Sequence, residues 1–242
     1  RTRPRTRAKE LVHFSLADNR RSLPSLIDGL KPSQRKALHV CFEKKLFEHE
    51  IKVQALAGYT SDSCDYKHGE GVLIETIKKM AQDFVGANNV PLLVPNGQFG
   101  TRADGGTDSS GAARYLYTRL SPVARLLFPE ADMPVLARNL SDAGKPIEPV
   151  QYVPLLPVLL LNGAAGIGTG WSTLVPRCHP VQVLDNVVAS LEGRPMAPLL
   201  PWSPNPNLNP SPNPNSNPAP NPNLNPSPNP NSNPAPNPNL NP

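Results

Sequence analysis

An arginine and a tyrosine stand side by side at Arg114-Tyr115, after a segment rich in Gly, Asn, Asp and Ser that spans 86–111. A glycine-rich backbone can approach a phosphodiester closely, and Arg102 and Arg114 can neutralise its oxygens. A free phenol ionises only near pH ~10, so the neighbouring cation favours a phenolate nucleophile and stabilises charge on a transferring phosphoryl group. Taken alone, such a pair is more often a packed tyrosine beside a solvated arginine.

Helices and a loop must position these residues. The turn at 28–32 precedes a helix capped by Ser33, whose apolar stripe is Ala37, Leu38, Cys41, Phe42 and Leu46. A second helix begins near 68–70, and its buried face is Leu73, Ile77, Met80, Ala81 and Phe84. The segment 86–111 is predicted to be a long functional loop, followed by a helical run from Ala112 to the residue before Pro122. Two such helices fit a helix-turn-helix module.

The two ends differ from the middle in composition. Of the 24 Lys and Arg residues, which outnumber the 19 Asp and Glu to give a net charge of +5, five lie in residues 1–9 without an acidic residue. We predict a basic, disordered segment over 1–10. At the other end, 16 of the 32 prolines fall in 201–242, where the unit NPNLNPSPNPNSNPAP occupies 205–220 and recurs at 221–236. Each unit offers too little apolar surface to offset its ordering, which predicts a disordered Asn/Pro-rich tail.

Several protein classes are disfavoured. The most apolar stretch, 150–170, is interrupted by prolines and glycines, so a membrane span is not expected. Three cysteines without metal spacing argue against a disulfide scaffold or a zinc site. The glycine-rich stretch 163–170 fails as a nucleotide-binding loop, because Thr169 stands where a P-loop needs Lys and Trp171 where a dinucleotide fingerprint needs Gly.

Four long stretches of the sequence indicate a protein family. The sequence resembles the breakage–reunion region of eukaryotic type II DNA topoisomerases (type IIA, ATP-hydrolysing) from about residue 11 to 195. The resemblance is carried by SLADNRRSLPSLIDGLKPSQRKALHVCF at 15–42, YKHGE at 66–70, AQDFVGANNVPLLVPNGQFGTRADGGTDSSGAARYLYT at 81–118 and YVPLLPVLLLNGAAGIGTGWST at 152–173. It implies an α+β fold, with a winged-helix (helix-turn-helix) domain at 11–150, the start of a tower domain at 151–200, and the Asn/Pro-rich repeat at 203–242.

The resemblance also assigns roles. It implies that Tyr115 attacks a DNA phosphodiester and stays linked to the 5′ phosphate, with Arg114 and His68 as catalytic partners. Tyr117 is predicted to point elsewhere on the helix. The DNA-binding residues are expected to be Arg21, Lys31, Arg35 and Arg102, together with Ile167 as an apolar wedge that bends the duplex. Three positions depart from the family pattern, namely Lys67 for a histidine, Thr107 for a lysine and Ala165 for an acidic residue.

The resemblance further implies duplex DNA and a second copy of the chain as partners, a nuclear location, and Mg²⁺ and ATP as cofactors of the full enzyme. We find no acidic metal-binding string and no ATPase motif, so we expect their ligands to lie outside this chain and the chain alone not to cleave DNA. The alternative is a non-catalytic DNA-binding remnant or a truncated gene product. Another tyrosine phosphodiester enzyme fits less well, because the five histidines are scattered.

Overall fold

The chain's computed structural model describes residues 3–104, 106 and 109–203, which mix helices with short antiparallel strands. The helices are α1 (Arg3–Ser22), α2 (Pro32–Glu43), α3 (Val53–Ser63), α4 (Glu70–Ala81), α5 (Pro122–Leu127), a 3₁₀ helix (Glu130–Val135), α6 (Val158–Asn162) and α7 (Pro180–Leu191). The strands are β1 (Ile51–Lys52), β2 (Leu93–Asn96), β3 (Tyr117–Leu120), β4 (Arg138–Leu140), β5 (Pro146–Pro149), β6 (Ala164–Gly168) and β7 (Trp171–Val175). The predicted tail at 203–242 lies outside the described residues except for Ser203.

The core forms where α2, α3 and α4 pack on one another and on a three-stranded antiparallel sheet of order β1-β3-β2. The predicted stripes of α2 and α4 are confirmed, since Leu38 and Cys41 on α2, and Leu73 and Ile77 on α4, are fully buried. Leu46 and Phe84 differ from the prediction, because α2 ends at Glu43 and α4 ends at Ala81. The helix α3 between them was not predicted.

The segment after the loop is a strand rather than the predicted helix. Residues 113–115 form a turn, and β3 begins at Tyr117. Burial alternates along it, because Leu116, Thr118 and Leu120 are buried while Tyr117 is exposed. This period of two, with a β-branched residue at its centre, lets one face of the segment pack on the helices, and that packing outweighs local helix propensity.

The N-terminal end also differs from the prediction of disorder over 1–10, because α1 begins at Arg3. Pro4 falls in the first helical turn, where its missing N–H costs no hydrogen bond. The following residues are mostly good helix formers continuous with the amphipathic run. The apolar side chains Leu11 and Phe14 of α1 are each 62% exposed in the described structure.

Two hairpins complete the described chain, which packs as one unit across the predicted boundary at 150/151. The β6–β7 hairpin lies against the last turns of α1. A Cβ on Gly166 would come within 2.5 Å of the Ser22 carbonyl, and one on Gly168 within 2.2 Å of Asn19 Oδ1. At Gly166 the close atom is backbone, so only glycine permits the approach there, whereas at Gly168 the close atom belongs to a side chain. None of the helices in the described residues is long and apolar enough to cross a membrane.

Candidate functional site

A groove of about 760 Å³ gathers four of the eight predicted site residues: Arg21, Lys31, His68 and Ile167. Its walls come from the end of α1, the start of α2, the loop before α4, and the β6–β7 hairpin. These residues are far apart in sequence, so only the fold brings them together. Arg20 and Lys36 also line this groove and were not predicted. Their signal was available, because both lie in the basic string 15–42.

Arg21 is held at the groove edge by an acidic neighbour. Its Nη2 lies 2.9 Å from Asp18 Oδ1, and Thr169 Oγ1 donates to Asp18 Oδ2 at 2.8 Å. The hydrogen bond from Thr169, followed by that from Arg21, lowers the pKa of the Asp18 carboxyl. Asp18 therefore joins the groove cation to the hairpin tip across 151 residues of sequence, a link with no local sequence signal.

Lys31 stands at the N-cap position of α2. Its backbone N–H donates to Gln34 Oε1 at 2.8 Å, which fixes the first turn of the helix. Partial burial lowers the pKa of its ammonium group, and the nearby charge of Lys79 lowers it further. The Lys31 side chain is thus a partly desolvated cation facing the groove.

His68 is exposed in the loop before α4, with its ring edge against Tyr66 at a centroid distance of 5.6 Å. The preceding Lys67 contacts Asp142 at the tip of the β4–β5 hairpin and lies 3.7 Å from Asp65 Oδ2. The hydrogen bond to Asp142 raises the pKa of Lys67 and lowers that of Asp142. Lys67 is therefore paired with two carboxylates and ties the His68 loop to that hairpin.

Ile167 lies on β6 beside the hairpin turn and lines the groove. It pairs with Ser172, and its side chain is 83% exposed. Because side chains alternate along a strand, the two neighbouring glycines face α1 while Ile167 points into the groove. The glycine-rich stretch 163–170 forms β6 from Ala164 to Gly168, followed by the hairpin turn at 169–170.

Tyr115 lies on the turn that leads into β3, and its side chain is 67% exposed. The turn is anchored to the start of α3, where Val53 N–H donates to the Leu116 carbonyl at 2.9 Å. The Arg114 guanidinium carbon lies 4.8 Å from the centroid of the Tyr115 ring, a cation–π stack that leaves the side chain open to a ligand. Tyr117 sits on the strand itself, 37% exposed, under Lys52.

Arg102 is exposed in the loop after β2, in a small hairpin closed by the Thr101–Gly106 bridge. A Cβ on Gly100, whose φ is +97°, would lie 1.7 Å from the Gly106 carbonyl. Gly100 therefore allows two backbone segments of this loop to pack closely together, rather than allowing a phosphate to approach. Thr107 lies outside the described residues.

Arg35 does not lie where a DNA contact was predicted. It is 6% exposed, and its Nε and Nη2 donate to both carboxylate oxygens of Asp28 at 2.8 and 3.0 Å. Asp28 is fully buried and also accepts from the backbone N–H of Leu30 and of Tyr152. The guanidinium is thus used inside the protein, where it pairs with the carboxylate that joins the turn at 25–31 to the chain after β5.

The predicted residues fall into separate places. The described contacts join Arg114 to Tyr115 and bring Arg21, Lys31, His68 and Ile167 to one groove, whereas Arg35 is internal and Arg102 lies on its own loop. No three His, Cys, Asp or Glu side chains of the described residues come together as a metal site.

Comparison with known proteins gives concordant matches. The sequence profile of the family described as the A-subunit of DNA gyrase/topoisomerase IV matches residues 21–212. The chain is 53% identical over 194 residues to "DNA topoisomerase 2" of Arabidopsis thaliana, covering 80% of this chain and 13% of that protein. It is 49% identical over 194 residues to "DNA topoisomerase 2" of Saccharomyces cerevisiae, again covering 80% and 13%.

A solved structure matches the fold as well. The Plasmodium falciparum topoisomerase II DNA-binding, cleavage and re-ligation domain superposes with a TM-score of 0.78 and 43% sequence identity, covering 81% of this chain and 26% of that one. The chain therefore spans about an eighth of the length of the curated relatives, at 13% of each.

Proposed function

Because the chain belongs to the family of the DNA gyrase/topoisomerase IV A-subunit, we propose that it is the part of a type II DNA topoisomerase that binds duplex DNA and carries the nucleophile for cleaving it. The observation that carries the proposal is the family match over 21–212, which contains the Arg114–Tyr115 pair and most of the residues that line the groove. The core of α2, α3, α4 and the β1-β3-β2 sheet is the winged-helix domain, with the tower domain beginning near 151 and the repeat at 203–242 beyond it. The full enzyme is a nuclear homodimer that uses Mg²⁺ and ATP. One relative, from Dictyostelium discoideum, is instead named as a mitochondrial protein.

In this proposal the reaction is a transesterification. The Tyr115 hydroxyl oxygen attacks the phosphorus of a backbone phosphodiester, forming a tyrosine–5′-phosphate bond and breaking the bond to the 3′ oxygen. The proton lost by the phenol balances the proton gained by that 3′ oxygen. Arg114, stacked on the ring, neutralises phosphate charge, and His68 donates a hydrogen bond or moves a proton at the groove. Reversal of the same step reseals the strand.

The groove makes DNA affinity depend steeply on salt. Each neutralised phosphate is expected to lower log K by roughly 0.9 per unit of log salt concentration. Arg21→Met and Lys31→Met in the groove, and Arg114→Met beside Tyr115, should each reduce that slope by about one contact, measured by fluorescence anisotropy with a labelled duplex. Removing the residues after Ser203 should leave the slope unchanged. An affinity that stays flat between low and physiological salt would contradict phosphate-driven binding.

Ile167 is expected to set the bend of the bound duplex. An apolar wedge between base steps costs a few kcal/mol of unstacking, offset by contacts that the bent duplex gains. Ile167→Ala should reduce bending in a fluorescence-transfer assay while leaving the salt slope intact. Leu191→Ala is the matched control, because Leu191 is equally exposed on α7 at 83%. If the bend of the duplex is unchanged in Ile167→Ala, Ile167 does not act as a wedge.

A further inference from the structure

The helix α4 carries a buried lysine on the side that faces the loop before Tyr115. Lys78 is only 7% exposed, and a lysine is rarely buried unless its ammonium group is paired. Its Nζ donates to Glu75 Oε1 at 2.9 Å on the same helix and to Ser110 Oγ at 2.8 Å. Ser110 lies five residues before Tyr115. The lysine therefore joins α4 to the segment of chain that leads to the nucleophile.

A second buried side chain at the end of α4 holds the other arm of the same loop. Gln82, the C-cap residue of the helix, is buried, and its Nε2 donates to the Phe99 carbonyl at 2.8 Å. Residues four apart in a helix lie on the same face, so Lys78 and Gln82 both face the loop. Phe99 belongs to the arm that enters the loop and Ser110 to the arm that leaves it.

The two arms of the loop are also joined to each other. The Gly111 N–H donates to the Gln98 carbonyl at 2.7 Å, and the Thr101 N–H donates to Ser109 Oγ at 3.1 Å. The turn that follows is fixed at its far end, where the Leu116 carbonyl accepts a hydrogen bond from the start of α3. The tyrosine turn is thus held at both ends, and its near end is the arm that the lysine contacts.

The contacts of this lysine are better suited to fixing a position than to stabilising the fold. The Glu75 side chain is 44% exposed, and a pair with such a partner contributes little to the free energy of unfolding. Replacing a buried ion pair by a well-packed apolar side chain is often neutral for stability. Methionine in place of Lys78 would occupy similar space while losing the hydrogen bond to Ser110. The expected consequence is a displaced turn in a folded protein.

We propose that Lys78 is a positioning residue for DNA cleavage, which acts through Ser110 to hold the turn of Tyr115 where its phenol oxygen can reach the phosphorus. This inference rests on the proposed function, because it takes Tyr115 as the nucleophile. The lysine acts through its hydrogen bond to the serine hydroxyl, so changes at either residue should have the same effect. A misplacement of about 1 Å can slow a reaction about 100-fold.

The test measures the rate of covalent adduct formation in an enzyme that carries this chain in place of the 194 matched residues of the Saccharomyces cerevisiae relative. At saturating duplex, Ser110→Ala should slow the adduct by about 10–100-fold. Ser110→Thr keeps the hydroxyl and should restore the rate. DNA affinity and the urea midpoint should match the wild type in both variants. Ser190→Ala, at an exposed serine on α7, is the matched control and should form the adduct at the wild-type rate.

A double-mutant cycle separates positioning from a general loss of stability. Lys78→Met and Ser110→Ala each remove the same hydrogen bond, so the double variant should be no slower than either single variant. Losses that add in the double variant would show that the two residues act independently and would overturn the inference.

The other outcomes separate this inference from the proposed function. If Ser110→Ala forms the adduct at the wild-type rate and Tyr115→Phe forms none, the positioning role is wrong while the proposed function stands. If the wild-type chimaera forms no adduct, both fail. Amide hydrogen exchange over residues 109–116 of the 242-residue chain is a second measurement. Lys78→Met should speed that exchange, because the turn loses one of its anchors, and unchanged exchange would contradict the link.

Discussion

Tyr115→Phe is expected to abolish the covalent protein–DNA adduct while leaving DNA binding intact. The substitution removes only the hydroxyl oxygen that forms the bond to phosphorus, and the ring can still stack on Arg114. The assay replaces the 194 matched residues of the Saccharomyces cerevisiae relative by those of this chain, so that the remaining parts of a type II enzyme are supplied. The adduct that survives denaturant is then measured on gels with end-labelled duplex, and it should fall below detection in Tyr115→Phe.

Tyr117→Phe is the matched control for that experiment. Tyr117 is two residues away on β3, where its ring contacts Lys52 rather than the arginine. The adduct should form at close to the wild-type level in this variant. Loss of the adduct in Tyr117→Phe together with its persistence in Tyr115→Phe would reverse the assignment of the nucleophile.

Arg35→Met is expected to destabilise the fold by about 3–5 kcal/mol, because it leaves the fully buried Asp28 carboxylate without its charge partner. The free energy of unfolding from urea titration, followed by circular dichroism, measures this cost. Asp28→Asn should cost a comparable amount, since it removes the other charge of the same pair. These effects are the largest that we expect from any single substitution outside the nucleophile.

Arg21→Met supplies the comparison for a surface arginine. Its side chain is 53% exposed in an ion pair with Asp18, and such pairs contribute about 0–1 kcal/mol. The two arginines should therefore separate cleanly: Arg21→Met lowers the salt slope with little loss of stability, and Arg35→Met does the reverse. A stable Arg35→Met protein with a reduced slope would show that Arg35 contacts DNA, as the sequence predicted, and that its ion pair opens on binding.

Much of the architecture could be predicted from the sequence where the pattern is local. The stripes of α2 and α4 were predicted because apolar residues recur at helical spacing, and the core then buries them. The helix predicted around Tyr115 is wrong, because tertiary packing and not local sequence determines the conformation of this segment. The buried face of β3 meets helices that come from earlier in the chain, and propensity within a short window does not contain that packing.

The same limit applies to the candidate site. Residue type and family resemblance identified Arg21 and Arg35 alike as cations of one basic string, yet one is exposed and the other is internal. The two arginines differ in the surroundings of the carboxylate that each one contacts, Asp18 for Arg21 and Asp28 for Arg35. Asp28 accepts a hydrogen bond from Tyr152, 124 residues away, which draws Asp28 and Arg35 into the interior. No spacing rule within the string 15–42 encodes that contact.

The central claim is that Tyr115 forms the covalent bond to DNA, and the most direct measurement is tandem mass spectrometry of the trapped adduct. The chimaeric enzyme is incubated with duplex DNA, denatured, digested with nuclease and protease, and the modified peptide is fragmented. The account predicts a nucleotide joined through its 5′ phosphate to the Tyr115 side chain. A nucleotide found on Tyr117 or on any other residue, or linked through a 3′ phosphate, would contradict it.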